Sequence, residues 1–259
     1  ATWSPSQPAL MSAALCLASD AGCTEPAPSA SPSRVESFGV RTFSFSAASG
    51  LVLNGHAIKL RGGCVHHDNG PLGAATPDAA EDRRVRLLKE AGFNALRSAH
   101  NPMSRAMLEA CDRHGMLVMD ELADVWTRSK TAFDAAPSFP DRWRHDVAAM
   151  VAKDLNHPSV VMYSIGNEIL ELGTPHGGAW SRRIAAEVRR LDPHRPITNG
   201  INGIIANLPR MTEAMAELEL QGRVCRALVE KEKAAHGDGS HEYAEALMNL
   251  AIVLDGQGK

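Results

Sequence analysis

Between residues 59 and 199 the chain repeats one unit: a short apolar run, a polar turn, then a longer stretch with apolar residues every three or four positions. The apolar runs fall at 59–65, 94–98, 116–120, 160–165 and 197–199. Runs this short read as strands, and the periodic stretches between them read as helices. A helix begins at Asp78, where Asp78-x-x-Glu81 has the form of a capping box, and carries Val85, Leu88 and Ala91 on one face up to Gly92. Further helices span 104–114, stopped at Gly115, then 143–155, broken by Asn156-His157-Pro158, and 180–191. Strands separated by helices of that length pair in parallel, because only a crossover returns the chain to the same edge. The fold class is therefore α/β.

The ends of the strands narrow the architecture. Each strand runs into polar residues: His66-His67-Asp68-Asn69, His100-Asn101, Asp120-Glu121, Asn167-Glu168 and Asn199. In a (β/α)₈ barrel these ends together form the catalytic mouth. A doubly wound sheet would gather its site at one switch point. Five loaded ends in succession favour the barrel, and no Gly-rich phosphate loop follows any strand.

The flanks have another texture. Residues 1–35 are rich in Ala, Ser and Pro, with an expected strand at 11–17 and a linker-like run at 26–32. Short strands are expected at 43–45 and 51–53, the second followed by the tight-turn pair Asn54-Gly55. Residues 212–259 read as helices, divided by Gly237-Asp238-Gly239, and the alternation does not resume.

Several classes fall away. A net charge of −3 gives no electrostatic case for nucleic acid or an anionic membrane as a partner. No stretch approaches the ~20 apolar residues of a membrane span. The opening Ala1-Thr2-Trp3-Ser4 lacks Met and lacks the basic-then-apolar pattern of a signal peptide. The five cysteines (Cys16, Cys23, Cys64, Cys111, Cys225) have no metal-site spacing. Free thiols in a reducing, cytoplasmic setting are favoured, with a Cys16–Cys23 bridge as the alternative.

Glu168 ends an apolar strand, where a carboxylate is costly unless it is solvated or has a task. Cleavage of a sugar's glycosidic bond needs such an acid, held protonated near neutral pH. Its other reading is a cap on the next helix. Asn167 beside it offers an amide for a sugar hydroxyl. His66 and His100, with Asp68 and Asn101 close by, suit the floor of a polar pocket. A zinc site from His66, His67, Asp68 and His100 competes with that reading, although the spacing matches no metal motif. Asp120 and Glu121 point to opposite faces of their strand, so only one faces the mouth. Trp126 suits either a stacking platform for a sugar ring or the core. Arg97 lies inside a strand and needs a partner, for which a mouth carboxylate is the natural choice.

Taken in order, these pieces resemble a known family. Asn54-Gly55, Leu60-Arg-Gly-Gly-Cys-Val-His66-His-Asp68, Asn94-Ala-Leu-Arg97-Ser-Ala-His100-Asn-Pro102, Cys111-Asp-Arg-His-Gly115, Asp120-Glu121 with Trp126, and Asn167-Glu168 resemble glycoside hydrolase family 2. This is the family of β-galactosidases, β-glucuronidases and β-mannosidases. Trp3-Ser-Pro and Phe38-Gly-Val-Arg41-Thr are similar to the end of the β-sandwich that precedes the family's barrel. The resemblance covers roughly residues 1–215. It implies a β-sandwich remnant (1–42) and a partial TIM (β/α)₈ barrel of about five βα units (43–215).

The resemblance also implies roles. Glu168 is then the acid/base of a retaining β-glycosidase. Asn167 binds the sugar 2-hydroxyl, while His66, Asp68 and His100, with Glu121 and Trp126, line the sugar subsite. Arg97 supports the nucleophile, and no cofactor or metal is implied. The family's nucleophilic glutamate belongs to a later barrel strand outside these residues. Glu121 is the local stand-in, and impaired turnover is expected.

Residues 216–259 resemble instead a tetratricopeptide repeat, through Arg226-Ala-Leu-Val-Glu230 and His241-Glu-Tyr-Ala-Glu-Ala-Leu-Met-Asn-Leu250. That implies a helical tail with a protein partner. The alternatives are a non-catalytic carbohydrate-binding or helical-repeat interaction chain, and a metal-dependent hydrolase.

Overall fold

A computed structural model describes residues 1–15, 34–203, 227, 229–231 and 233–235. The chain divides into two units, Ala1–Asn202 and Gly203–Lys259. In the second, residues 227, 229–231 and 233–235 are helical. The remainder of the expected tail, the run at 26–32 and positions 16 and 17 of the expected first strand lie outside the described residues.

The first unit opens with antiparallel pieces. β1 (Met11–Leu15) pairs with β2 (Arg34–Phe38), a strand that the sequence pattern did not announce. β3 (Phe43–Ser46), β4 (Gly50–Leu53) and β5 (His56–Ile58) form a three-stranded meander. Asn54 and Gly55 turn β4 into β5 with φ of 50° and 81°. Two consecutive positive φ values are what a two-residue hairpin of matching twist requires, and Asn-Gly supplies them at least cost.

The parallel sheet follows: β6 (Gly62–His66), β7 (Ala95–Ala99), β8 (Leu117–Glu121), β9 (Val160–Asn167) and β10 (Ile197–Gly200). Its spatial order is β10-β9-β8-β7-β6, and every neighbouring pair is parallel. The crossovers carry α1 (Asp78–Glu90), α2 (Arg105–His114), α3 (Phe139–Asp154) and α4 (Pro175–Leu191). Spatial order that follows chain order is barrel winding, since a doubly wound sheet reverses direction at a switch point.

Adjacent strand residues feed different cores. Leu96, Val118, Tyr163 and Ile165 join residues from all four helices, among them Val85, Leu108, Met150 and Ile184. Ala95, Leu117 and Val161 join Trp3, Leu51 and Leu53 instead. The meander thus closes the N-terminal end of the sheet and leaves the C-terminal end open. Among the described residues no helix is long and apolar enough to cross a membrane.

Three local expectations are corrected. The Asp78/Glu81 capping box does not form: Pro77 is the N-cap, and Glu81 turns inward to 3% exposure. The Arg84 guanidinium, 3.8 Å from Glu81, is the inward carboxylate's nearest cation. α3 begins at Phe139 rather than Trp143, because Pro140 suits a first turn and Phe139 is buried. α4 begins at Pro175 rather than Trp180, capped by Thr174, whose hydroxyl accepts from Gly177 N at 3.1 Å. A Cβ at Gly177 would lie 2.1 Å from Glu171 O, so the glycine that weakens the helical pattern is required by packing.

Candidate active site

At the C-terminal edge of the sheet, β7, β8 and β9 converge on one guanidinium. Arg97 donates from Nε and Nη2 to Glu121 Oε2 (3.0 and 2.7 Å) and from Nη2 to Glu121 Oε1 (2.9 Å). Arg97 Nη2 also donates to Asn167 Oδ1 at 2.8 Å. His100 Nδ1 lies 2.9 Å from Glu121 Oε1, and Ser164 Oγ donates to Glu121 Oε2 at 2.7 Å. Burial is the largest single influence and pulls the Arg97 guanidinium down, but the hydrogen bond to Glu121, the Glu121 charge and the contact with Cys64 together hold the group above its ordinary value.

Glu121 therefore differs from its expected role. Its side chain is fully buried, and both oxygens are taken by protein donors. It anchors Arg97 and is not free to touch a sugar or to attack one. Asp120, on the opposite face as period two demands, accepts from Met103 N at 3.0 Å and from Lys153 Nζ at 3.0 Å.

Asn167 is held at both ends of its amide. Oδ1 faces Arg97, and Nδ2 donates to Asp124 Oδ1 at 2.8 Å. Lys130 Nζ donates to that same Asp124 oxygen at 2.7 Å and to Asn167 O at 2.8 Å. Burial raises the Asp124 carboxyl, but the bonds from Lys130 and Asn167 prevail and set it below the usual carboxylate range. Glu168 follows as an exposed residue with φ of 43°, unusual for a residue with a Cβ. Its N–H donates to Gly200 O at 2.6 Å, and Asn202 Nδ2 donates to Glu168 Oε1 at 3.2 Å. The left-handed turn falls just past the end of β9 and leaves Glu168 exposed there. Such outliers persist where surrounding bonds enforce them, often at functional positions.

The histidines separate. His66 and His100 meet edge to face, with ring centroids 5.1 Å apart. His67 turns away, with its ring nitrogens near Ala99 O and Pro102 O. Asp68 Oδ1 accepts from Gly70 N at 2.9 Å. Among the described residues no three His, Cys, Asp or Glu side chains are grouped to hold a metal ion, which leaves the zinc reading without a site. Trp126 is also corrected. It is fully buried in the main core and donates from Nε1 to Ile165 O at 2.9 Å, so no ring face is presented at the mouth.

Sequence reasoning brought Arg97, His100, Asn167 and Glu168 together but missed Asp124, Lys130 and Ser164. Ser164 had a signal, as the lone aliphatic hydroxyl in an apolar strand. Asp124 and Lys130 lie in the loop after β8, where spacing gives no register to read.

Residues 47–237 match the family model described as glycosyl hydrolases family 2, TIM barrel domain. The chain is 38% identical over 195 residues to β-galactosidase BoGH2A of Bacteroides ovatus, covering 63% of this chain and 23% of that protein. To a β-galactosidase of Vibrio cholerae it is 30% identical over 199 residues, covering 75% of this chain and 18% of that protein. A solved family 2 glycosyl hydrolase from Bacteroides cellulosilyticus superposes with a TM-score of 0.73 at 44% identity, covering 80% of this chain and 26% of that chain. The chain thus spans about a quarter or less of the length of these relatives. A family match across most of its length, a sequentially ordered parallel sheet and polar residues gathered at the sheet's C-terminal edge lead to one assignment: the chain belongs to glycosyl hydrolase family 2, within its TIM barrel domain.

Proposed function

We propose that this chain supplies the acid half of a retaining β-glycosidase site, β-galactosidase-like in substrate. Glu168 protonates the leaving oxygen of a terminal β-glycoside, and Asn167 holds the sugar 2-hydroxyl. His66, His100 and Asp68 border the glycone. Arg97 orients Asn167 and, by its charge, favours an ionised nucleophile nearby. The observation that carries the reading is the exposed Glu168 carboxylate, turned out of the strand beside an amide fixed by Arg97.

The same geometry supports a limit. Retaining hydrolysis needs a second carboxyl about 5–5.5 Å from the acid, free to attack the anomeric carbon. Of the two carboxylates tied to this cluster, Glu121 is buried and saturated, and Asp124 is bound by Lys130 and Asn167. Residues 1–259 alone are therefore expected to bind a β-galactoside and to release essentially no phenol from an aryl β-galactoside. Robust release that disappears in Glu168→Gln would overturn the limit while supporting the acid. Robust release that survives Glu168→Gln would overturn the assignment of Glu168.

The wider organisation belongs to the same reading: a sandwich remnant at 1–42, a partial barrel at 43–215 and a helical, tetratricopeptide-like segment at 216–259 for a protein partner. A reducing, cytoplasmic setting agrees with Cys64 and Cys111 as free thiols.

A further inference from the structure

We infer that Asp124, anchored by Lys130, is a positioning residue that fixes which end of the Asn167 amide faces the sugar. This rests on the reading of Asn167 as the group that holds the 2-hydroxyl.

An asparagine amide has a carbonyl oxygen that only accepts and an NH₂ that only donates, and a half-turn about its last torsion exchanges them within almost the same volume. A sugar-binding amide that can turn over offers the wrong end part of the time. Here the two ends meet groups of one-way chemistry. Arg97 can only donate, and it takes Oδ1 at 2.8 Å. The Asp124 carboxylate can only accept, and it takes Nδ2 at 2.8 Å. Turning the amide over would set N–H against guanidinium and oxygen against carboxylate. Asp124 uses one of the two Nδ2 hydrogens and leaves the second for a ligand.

Asp124 is not part of the sheet, so something must hold it in register with Asn167. Lys130 does so with one ammonium, which reaches Asp124 Oδ1 (2.7 Å) and Asn167 O (2.8 Å). The backbone adds a second tie, Asn167 N to Ala123 O at 3.1 Å. Lys130 is in turn placed by its own loop, where Asp134 Oδ2 accepts from Lys130 N (2.6 Å) and Thr131 N (2.9 Å). An exposed Asp–Lys pair by itself contributes little. The Asp124 side chain is 40% exposed, so stability does not explain the arrangement, whereas orientation of a shared third group does.

The test is an affinity cycle on the 259-residue chain, with phenyl β-thiogalactoside and its 2-deoxy analogue as probes and calorimetry as the readout. The unmodified chain is expected to lose about five- to tenfold in affinity when the 2-hydroxyl is removed, the worth of one neutral hydrogen bond. In Asp124→Ala that ratio falls to about two, because Arg97 alone then opposes the turn of the amide, while a role limited to folding would leave the ratio unchanged. Lys130→Met keeps the carboxylate but unties it and gives an intermediate ratio; it decides the matter if Asp124→Ala does not fold. An unchanged ratio in the folded variant overturns the inference and leaves the Asn167 reading intact. Absence of any 2-hydroxyl effect in the unmodified chain, or of binding itself, overturns both.

Discussion

At the scale of single residues, Arg97 organises the site. A guanidinium inside a strand must be paired, and Glu121 on the next strand pairs with it through both oxygens. The need for a mouth carboxylate was legible from the sequence, because a charge inside an apolar strand leaves few other solutions. What the carboxylate cannot then do was not legible: a group saturated by Arg97, His100 and Ser164 has no lone pair left for a ligand. Trp126 illustrates the same limit, since an indole suits a platform and a core equally until the position of Ile165 O is known. Glu121→Ala leaves the Arg97 charge unpaired and should cost about 3 kcal/mol, at the low end for a buried pair because Arg97 is 24% exposed. Urea unfolding measures this. A loss below about 0.5 kcal/mol, the size of an ordinary surface change, would show that Arg97 does not depend on Glu121.

At the scale of elements, the strand–helix alternation was readable to within a residue or two at most strand ends. Helix starts were less readable. α3 and α4 begin earlier than their apolar periodicity, because proline in a first turn and a Thr174 cap set the starts. The capping box at Asp78 failed because Glu81 is drawn into the interior. Buried carboxylates recur at element ends, and Asp154, the last residue of α3, has a consequence in pH. Burial first, then repulsion from Asp120, push its carboxyl up to about 8 against the pull of Lys153. In the unfolded chain it returns to about 4. Between those values the folded chain keeps a proton that the unfolded chain has released. Unfolding therefore releases a proton, and the contribution, complete below about pH 4, is lost as pH rises through about 8. Asp154→Asn removes the titration without changing the shape. Urea unfolding at pH 5.5 and pH 8 should show a smaller fall in stability for the variant than for the unmodified chain. Equal falls would contradict a raised Asp154 carboxyl.

At the scale of the molecule, five parallel strands follow one another in chain order, and the two edge strands, β6 and β10, do not pair with each other. One end of the sheet is stopped by the Trp3, Leu51 and Leu53 cluster, which leaves the polar end as the place for a ligand. The division of labour between the two ends was legible from residues such as His100 and Asn167 at the close of each run. The plug was not legible, because it is built from short flanking strands whose partner surface lies far along the chain. Under the proposed function, the open end is a β-glycoside subsite with Glu168 and Asn167 at its centre. Its most direct test is a nuclear magnetic resonance titration of the 259-residue chain with phenyl β-thiogalactoside, which the site can bind but not cleave. Saturable shifts at the Asn167 side-chain amide and the Glu168 backbone amide are predicted. If those two signals stay still while the ligand binds elsewhere or not at all, the subsite is not there.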